Sequence, residues 1–222
     1  MRIIAGRFRS RVLAGPPGMA TRPTSDRLRE TLFNVIAGRF EGAAFLDLYA
    51  GSGAVGLEAL SRGAQSVVFV ERAPAALKAL RANLAALDVE REAYRVYAGS
   101  VAAFLRSATS ANPKPENNSA VFSVIYLDPP YDAAAEYEAT LGLLGNEGWS
   151  SRSSYARDPS TSSGQALGHT LPLLTPGAVV IAEHRRKEKV ADRYGKLART
   201  RLLEQGDAAL SFYAAREVRL EK

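Results

Sequence analysis

Asp128-Pro129-Pro130-Tyr131 follows directly on the apolar run Val121 to Leu127. A carboxylate, two prolines and an aromatic ring at the mouth of a buried strand suit one task, which is to hold a planar nucleobase by its exocyclic amino group. The prolines stiffen the backbone and remove two N–H donors. That leaves a turn rich in carbonyl acceptors beside the Asp128 carboxylate, and Tyr131 adds a flat face for stacking. The competing reading is a plain strand-ending turn, because Asp-Pro and Pro-Pro pairs punctuate loops of every kind. Residues elsewhere in the chain have to separate the two.

The second group with chemical content is Gly51-Ser52-Gly53-Ala54-Val55-Gly56, with Glu71 about 20 residues further on. Between a strand and a helix this is the dinucleotide fingerprint: glycines let the backbone approach a ligand, and the acid accepts from ribose hydroxyls. A nicotinamide dehydrogenase is therefore a rival reading. Two features weigh against it. Asp47 sits at the strand end, where a diphosphate needs positive or neutral surroundings, and an anion there better matches a cationic ligand such as a sulfonium with its α-amino group. The chain also offers no evident hydride-transfer constellation, whereas it does offer the Asp128 turn.

The elements that must position these residues follow from the pattern. Phe45 to Leu48, Ser66 to Val70, Ala93 to Tyr97, Val121 to Leu127 and Ala178 to Ala182 read as strands. Val55 to Arg62, Ala73 to Leu87, Val101 to Arg106 and Ala133 to Leu144 read as the helices between them. Such alternation predicts a mostly parallel sheet covered on both faces. Leu197 to Leu203 and Ala209 to Ala215 around Gln205-Gly206-Asp207 predict a C-terminal antiparallel hairpin. Before the sheet, Arg2 to Ala5 and Arg11 to Leu13 read as a small hairpin. A helix carrying Leu28, Leu32, Val35 and Ile36 follows, with Thr24 or Ser25 as its cap. Polar stretches at 107–119 and 150–170 read as surface insertions.

Bulk composition narrows the classes. The chain has 222 residues and no cysteine, so disulfides and thiolate metal sites are excluded. Its two histidines, His169 and His184, make no zinc set, and no metal is expected. No apolar run is long enough to span a membrane and no signal core opens the chain, so a cytoplasmic protein without a membrane partner is expected. Basic residues exceed acidic ones by six, and the whole excess falls in residues 1–40, with eight arginines against two acids. Arginine forks concentrated in this way suit a phosphate polyanion.

Asp47-Leu-Tyr-Ala-Gly51-Ser-Gly53, then Glu71, then Asp128-Pro-Pro-Tyr131, in this order, resembles the class I S-adenosylmethionine-dependent methyltransferases that act on amino groups of bases. Arg2-Ile-Ile-Ala-Gly-Arg-Phe-Arg-Ser-Arg-Val-Leu13 and Arg22-Pro-Thr-Ser-Asp26-Arg-Leu-Arg-Glu30-Thr-Leu-Phe-Asn34 are similar to the RsmD family, from Arg2 to about Ala215. The resemblance implies a Rossmann-like α/β sheet and transfer of a methyl group to N2 of guanine 966 of 16S rRNA in the small ribosomal subunit. It implies catalytic roles for Asp128, Pro129, Pro130 and Tyr131. S-adenosylmethionine would lie on Asp47, Tyr49, Ala50, Gly51, Ser52 and Gly53, with its ribose at Glu71 and Arg72 and its adenine at Ser100 and Val101. RNA contacts would fall on Arg2, Arg7, Arg9, Arg11 and Arg22. Residues 1–40 would form the RNA-binding extension of a monomer, 41–222 the methyltransferase domain. Adenine-N6 transfer on RNA or DNA is the alternative, although DNA enzymes usually carry a sizeable target-recognition domain that this chain lacks. A non-catalytic RNA-binding protein on the same fold is the alternative from another class.

Overall fold

The computed structural model describes residues 1–15, 23–108, 121–130, 134–146 and 173–215. Eight strands form one sheet: β1 (Ala44–Leu48), β2 (Ser66–Glu71), β3 (Tyr94–Ala98), β4 (Phe122–Leu127), β5 (Leu174–Arg185), β6 (Arg193–Tyr194), β7 (Leu197–Gln205) and β8 (Ala208–Ala215). Among the described residues five α-helices accompany them: α1 (Pro23–Val35), α2 (Ala54–Ser61), α3 (Pro74–Ala86), α4 (Val101–Ala108) and α5 (Ala134–Asn146). Spatial order is β3-β2-β1-β4-β5-β8-β7-β6. The pairs from β3 to β5 are parallel, and β5–β8, β8–β7 and β7–β6 are antiparallel.

Strand alternation sorts the core into two layers, as a period of two requires. Phe45, Val67, Phe69, Val124, Tyr126, Val179 and Ile181 face one way and pack with Leu28, Leu32 and Phe33 of α1, Leu57 and Leu60 of α2, and Leu80 of α3. Leu46, Leu48, Val68, Ile125, Leu127, Val180 and Ala182 face the other way, against Phe104 of α4 and Leu141 and Leu144 of α5. Burial of each such side chain stabilises the fold by about 1.5–3 kcal/mol.

The N-terminal arm is less regular than a hairpin. A single antiparallel bridge, Arg2 with Val12, joins its limbs, and Ile3 and Leu13 are buried in the same core layer as α1 and α2. The end of α2 is what the arm docks on. Glu58, fully buried, accepts the backbone N–H groups of Ile4 (2.7 Å) and Ala5 (3.0 Å). Ser61 donates its hydroxyl to Ala5 O (2.5 Å) and accepts from Phe8 N (2.9 Å). Gly6, at φ 81°, passes so close that an added Cβ would lie 1.7 Å from Ser61 O, so no side chain fits there.

Several boundaries differ from expectation. Helix α1 starts at Pro23, so Thr24 and Ser25 fall inside its first turn rather than at a cap; proline suits that turn because its missing N–H had no helical partner to lose. Ala93 belongs to a 3₁₀ turn, Arg91–Ala93, and β3 begins at Tyr94. Strand β5 is twelve residues long and the short β6 was not anticipated. Of the two polar insertions, 109–119 and 150–170 lie outside the described residues. Among the described residues no helix is long and apolar enough to cross a membrane, and no cluster of ligating side chains suits a metal ion.

Candidate active site

Helices leave the sheet on opposite sides of β1 and β4: α2, after β1, packs on one face and α5, after β4, on the other. The carboxyl ends of these strands therefore bound a crevice at a topological switch point, where open α/β sheets bind ligands. Register aligns Asp47 with Tyr126 and Leu48 with Leu127, so the glycine loop and the Asp128 turn emerge side by side.

The three glycines of the loop serve three purposes. Gly51, at φ 58°, has nothing within 4 Å of a would-be Cβ and presents bare backbone to open space. Gly53, at φ 84°, caps α2, and a Cβ there would strike Leu80 Cδ1 at 2.3 Å. Gly56 lets α2 lie on β2, since a Cβ would meet Phe69 at 2.3 Å. Because Gly53 has no side chain to cap the helix, Asp47 does so from the strand: its Oδ2 accepts the Gly56 N–H at 2.9 Å. Burial raises the Asp47 carboxyl to about 7, against the lowering effect of the Gly56 bond and with a smaller upward push from Glu71.

Glu71 is also engaged by backbone. Its Oε2 accepts Gly51 N–H (2.8 Å), and Oε1 accepts the N–H groups of Arg72 and Ala73 (both 2.7 Å). The carboxylate thereby ties the glycine loop to the end of β2, while Arg72 itself is exposed. Asn83 of α3, 2% exposed, donates to Ser52 O (2.9 Å) and Ala14 O (3.0 Å) and accepts from Ala14 N (2.8 Å). One amide thus links arm and glycine loop, a role that the sequence reading missed. Ser100 caps α4 by accepting Ala103 N–H at 3.2 Å, next to buried Val101.

Tyr49 departs from expectation in direction. At φ 62° its side chain swings to the α5 layer, where the hydroxyl bonds Glu136 Oε2 (2.8 Å) and Thr140 Oγ1 (2.7 Å). Those two bonds hold a conformation that a bulky residue adopts only under constraint. Tyr49 is a strut between loop and helix; its backbone, with buried Ala50 and Ser52, shapes the loop.

Across the crevice, Asp128 is half-buried, Pro129 buried and Pro130 exposed; Tyr131 lies outside the described residues. Asp128 accepts no hydrogen bond among the described residues. Its carboxyl stands well above the ordinary range, first through burial and then through the nearby charges of Glu183 and Asp47. Glu183, near the end of β5, is pushed up by burial too, with relief from the Tyr126 hydroxyl and from Arg29 of α1. Tyr126 donates that hydroxyl to Glu183 Oε2. Neither Glu183 nor Tyr126 was singled out from sequence; the available signal was a lone acid or hydroxyl closing an otherwise apolar strand. His184 is a strand residue, as expected, with Nε2 on Ser211 Oγ and Nδ1 on Arg185 O, each at 2.9 Å.

The arm's arginines divide by use. Arg2 and Arg9 are exposed, with no guanidinium partner among the described residues. Arg7 makes an exposed 3.4 Å pair with Glu90, and Arg11 donates to Ala86 O at the end of α3 (2.5 Å). Arg29 is buried: it donates to Arg2 O (2.5 Å) and Asp26 (3.0 Å), and its Nε lies 4.0 Å from Glu58. Arg22 lies outside the described residues.

A parallel β3-β2-β1-β4-β5 core with antiparallel strands at one end, a glycine loop after β1 and an acid-proline-proline turn after β4 define a class I methyltransferase fold. A family model described as "Conserved hypothetical protein 95" matches residues 1–214. The chain belongs to this family, the RsmD family. It is 32% identical to the "Putative rRNA methyltransferase YlbH" of Bacillus subtilis over 216 residues, 97% of this chain and 100% of that protein. Over 149 residues it is 39% identical to the "Ribosomal RNA small subunit methyltransferase D" of Escherichia coli K12, 67% of this chain and 69% of that one. The solved structure "Putative methyltransferase yhhF from Escherichia coli" superposes with a TM-score of 0.70 at 30% identity, covering 97% of each chain.

Proposed function

We propose that this chain transfers the methyl group of S-adenosylmethionine to the exocyclic N2 amino group of guanine 966 in 16S rRNA. The observation that carries the reading is the pairing, across one crevice, of a glycine loop held on Asp47 and Glu71 with an Asp128 that has no hydrogen-bond partner among the described residues, at the head of a proline turn. The residues fit the cofactor: Gly51 leaves open backbone for it, and the buried Asp47 carboxyl, which a nearby cation would ionise, suits a cation better than a diphosphate. When bound, the cofactor supplies a methyl group already activated on a sulfonium.

The protein's part is to place the amine. The guanine leaves its stack at a cost of a few kcal/mol, and stacking on Tyr131 returns about 1–3 kcal/mol. Asp128 accepts one amine hydrogen and the Pro129 carbonyl another, which favours a more pyramidal nitrogen and directs its lone pair. Transfer would leave the carbon–sulfur electron pair on the departing sulfur as the nitrogen–carbon bond formed, and Asp128 would pass the surplus amine proton to water. Such positioning acts most strongly in the transition state. Residues 1–40 serve as the RNA-binding extension of the 41–222 transfer domain in the cytoplasm, with Arg2, Arg7, Arg9, Arg11 and Arg22 on phosphates.

The test offers tritiated S-adenosylmethionine to small ribosomal subunits lacking the modification and identifies the labelled nucleoside. N2-methylguanosine is expected; N6-methyladenosine, or no label despite cofactor binding, overturns the assignment.

A further inference from the structure

An acid that accepts from an exocyclic amine serves guanine N2 and adenine N6 equally, so Asp128 by itself cannot choose between the bases. Its neighbour can. Strands β4 and β5 are parallel with Leu127 opposite Ala182, so the next residues, Asp128 just past β4 and Glu183 near the end of β5, lie side by side. Their backbones are about 5 Å apart at that spacing. Alternation turns both to the face that carries Asp47, Tyr126 and Ile181. Glu183 is fixed from two sides: Tyr126 donates to its Oε2, and the Tyr137 hydroxyl of α5 donates to its backbone carbonyl at 2.9 Å. Oε1 has no hydrogen-bond partner among the described residues, and the residue is half-buried rather than sealed in the core.

Two adjacent carboxyls with free acceptor oxygens call for a ligand with two adjacent donors. Guanine's pairing edge has them, N1–H beside the N2 amine. Adenine has an N6 amine beside the bare N1 lone pair, which would face a carboxylate oxygen. Extruded bases are read along this edge.

We propose that Glu183 is the specificity-determining residue of the site: its Oε1 accepts the N1–H of the guanine whose N2 amine Asp128 holds. The assignment rests on the guanine-N2 reading above and names the contact that makes it guanine. Tyr126 is a positioning residue, acting through Glu183. Arg29 of α1 lends Glu183 a nearby positive charge.

The discriminating substrate is 2-aminopurine, which keeps the 2-amino group and lacks the N1 hydrogen. Small subunits reconstituted with guanosine or 2-aminopurine riboside at the target position are offered to wild type and to Glu183→Gln, and kcat/KM is compared. Wild type should prefer guanosine by roughly 10- to 100-fold, the worth of a charge-assisted hydrogen bond. In Glu183→Gln, whose amide can also donate to a bare N1, guanosine transfer falls and the preference shrinks to within about threefold. An unchanged ratio in the variant overturns the proposal. A thermal shift with S-adenosylhomocysteine checks that the variant is folded. Should it not fold, Glu183→Asp, whose carboxylate is drawn back by one methylene, is read in its place: a narrowed ratio supports the contact and an unaltered one overturns it. If wild type labels no guanosine at all, the functional reading fails separately from this contact.

Discussion

On the cofactor side of the crevice, Asp47 and Glu71 have oxygens already engaged by backbone amides of Gly56, Gly51, Arg72 and Ala73. On the substrate side, Asp128 has no such bond among the described residues and Glu183 keeps one oxygen free. Both sides desolvate carboxyls, which is costly unless partners are supplied. The first side is satisfied by the fold itself, so it is preformed when ligand arrives. On the reading proposed above, the second side leaves its acceptor oxygens to the base, and preorganisation and selectivity fall to different parts of one sheet.

Removing Asp128 is the sharpest way to break this contrast. Asp128→Ala should lower the transfer rate by about 10²–10³-fold, the scale for loss of one aligned electrostatic group. S-adenosylhomocysteine affinity, measured by calorimetry, should stay within about twofold, since no cofactor-side bond involves Asp128. Full activity in the variant would contradict the mechanism.

Asn83→Ala tests the opposite side. It removes three hydrogen bonds, leaves the buried Ser52 carbonyl without its Asn83 partner and frees the Ala14 backbone, at a cost of about 2–3 kcal/mol in chemical denaturation. Cofactor affinity should fall along with stability, because the same amide holds the glycine loop. A stability loss with unaltered cofactor affinity would show that the loop stands without the arm.

Asp47 allows a subtler test. Its folded carboxyl lies at about 7, above the ordinary 3.8, so the folded state holds the proton that the unfolded chain has released. Stability from this group is therefore lost as pH rises from about 4 to 7. Cofactor binding runs the other way, because a cation favours the ionised form: affinity should rise about tenfold between pH 6 and 8 and level off above. In Asp47→Asn, which keeps an acceptor for the Gly56 N–H, both slopes should flatten. A cofactor affinity that stays level with pH in the wild type would remove Asp47 from cation recognition.

Much of this was legible in sequence for a physical reason. Continuous apolar runs such as Val124 to Leu127, and glycines bounded by a strand and a helix, report local requirements, so the strands, the loop and the Asp128 turn were readable directly. Glu183 was not, because its meaning arises from the β4–β5 register, which joins residues far apart in the chain. Asn83, Glu58 and Ser61 were hidden similarly: each satisfies backbone of the arm across more than fifty residues. Tyr49 was expected only as a member of the cofactor loop; that its ring braces α5 was not legible, since the positive φ that directs it has no signal in residue type.

The arginines of residues 1–40 looked equivalent in sequence, and the structure separates them into a structural member and exposed ones. Arg29 is 5% exposed and spent on Arg2 O, Asp26 and the neighbourhood of Glu58, so it cannot also clamp phosphate. Arg9 is exposed and unpartnered among the described residues. Arg9→Ala should therefore leave thermal stability unchanged and reduce the slope of log affinity against log salt by about 0.7, the loss of one phosphate contact on single-stranded RNA. Arg29→Ala should do the converse, lowering the melting temperature while the slope stays put, because it takes a buried cation from beside Glu183 and a donor from Arg2 O, whereas Glu58 keeps its 2.7 Å pair with Arg62. Salt titrations of rRNA binding by the two variants, beside their melting curves, test the division: equal slopes for Arg9→Ala and wild type would take this face of the arm out of the RNA interface.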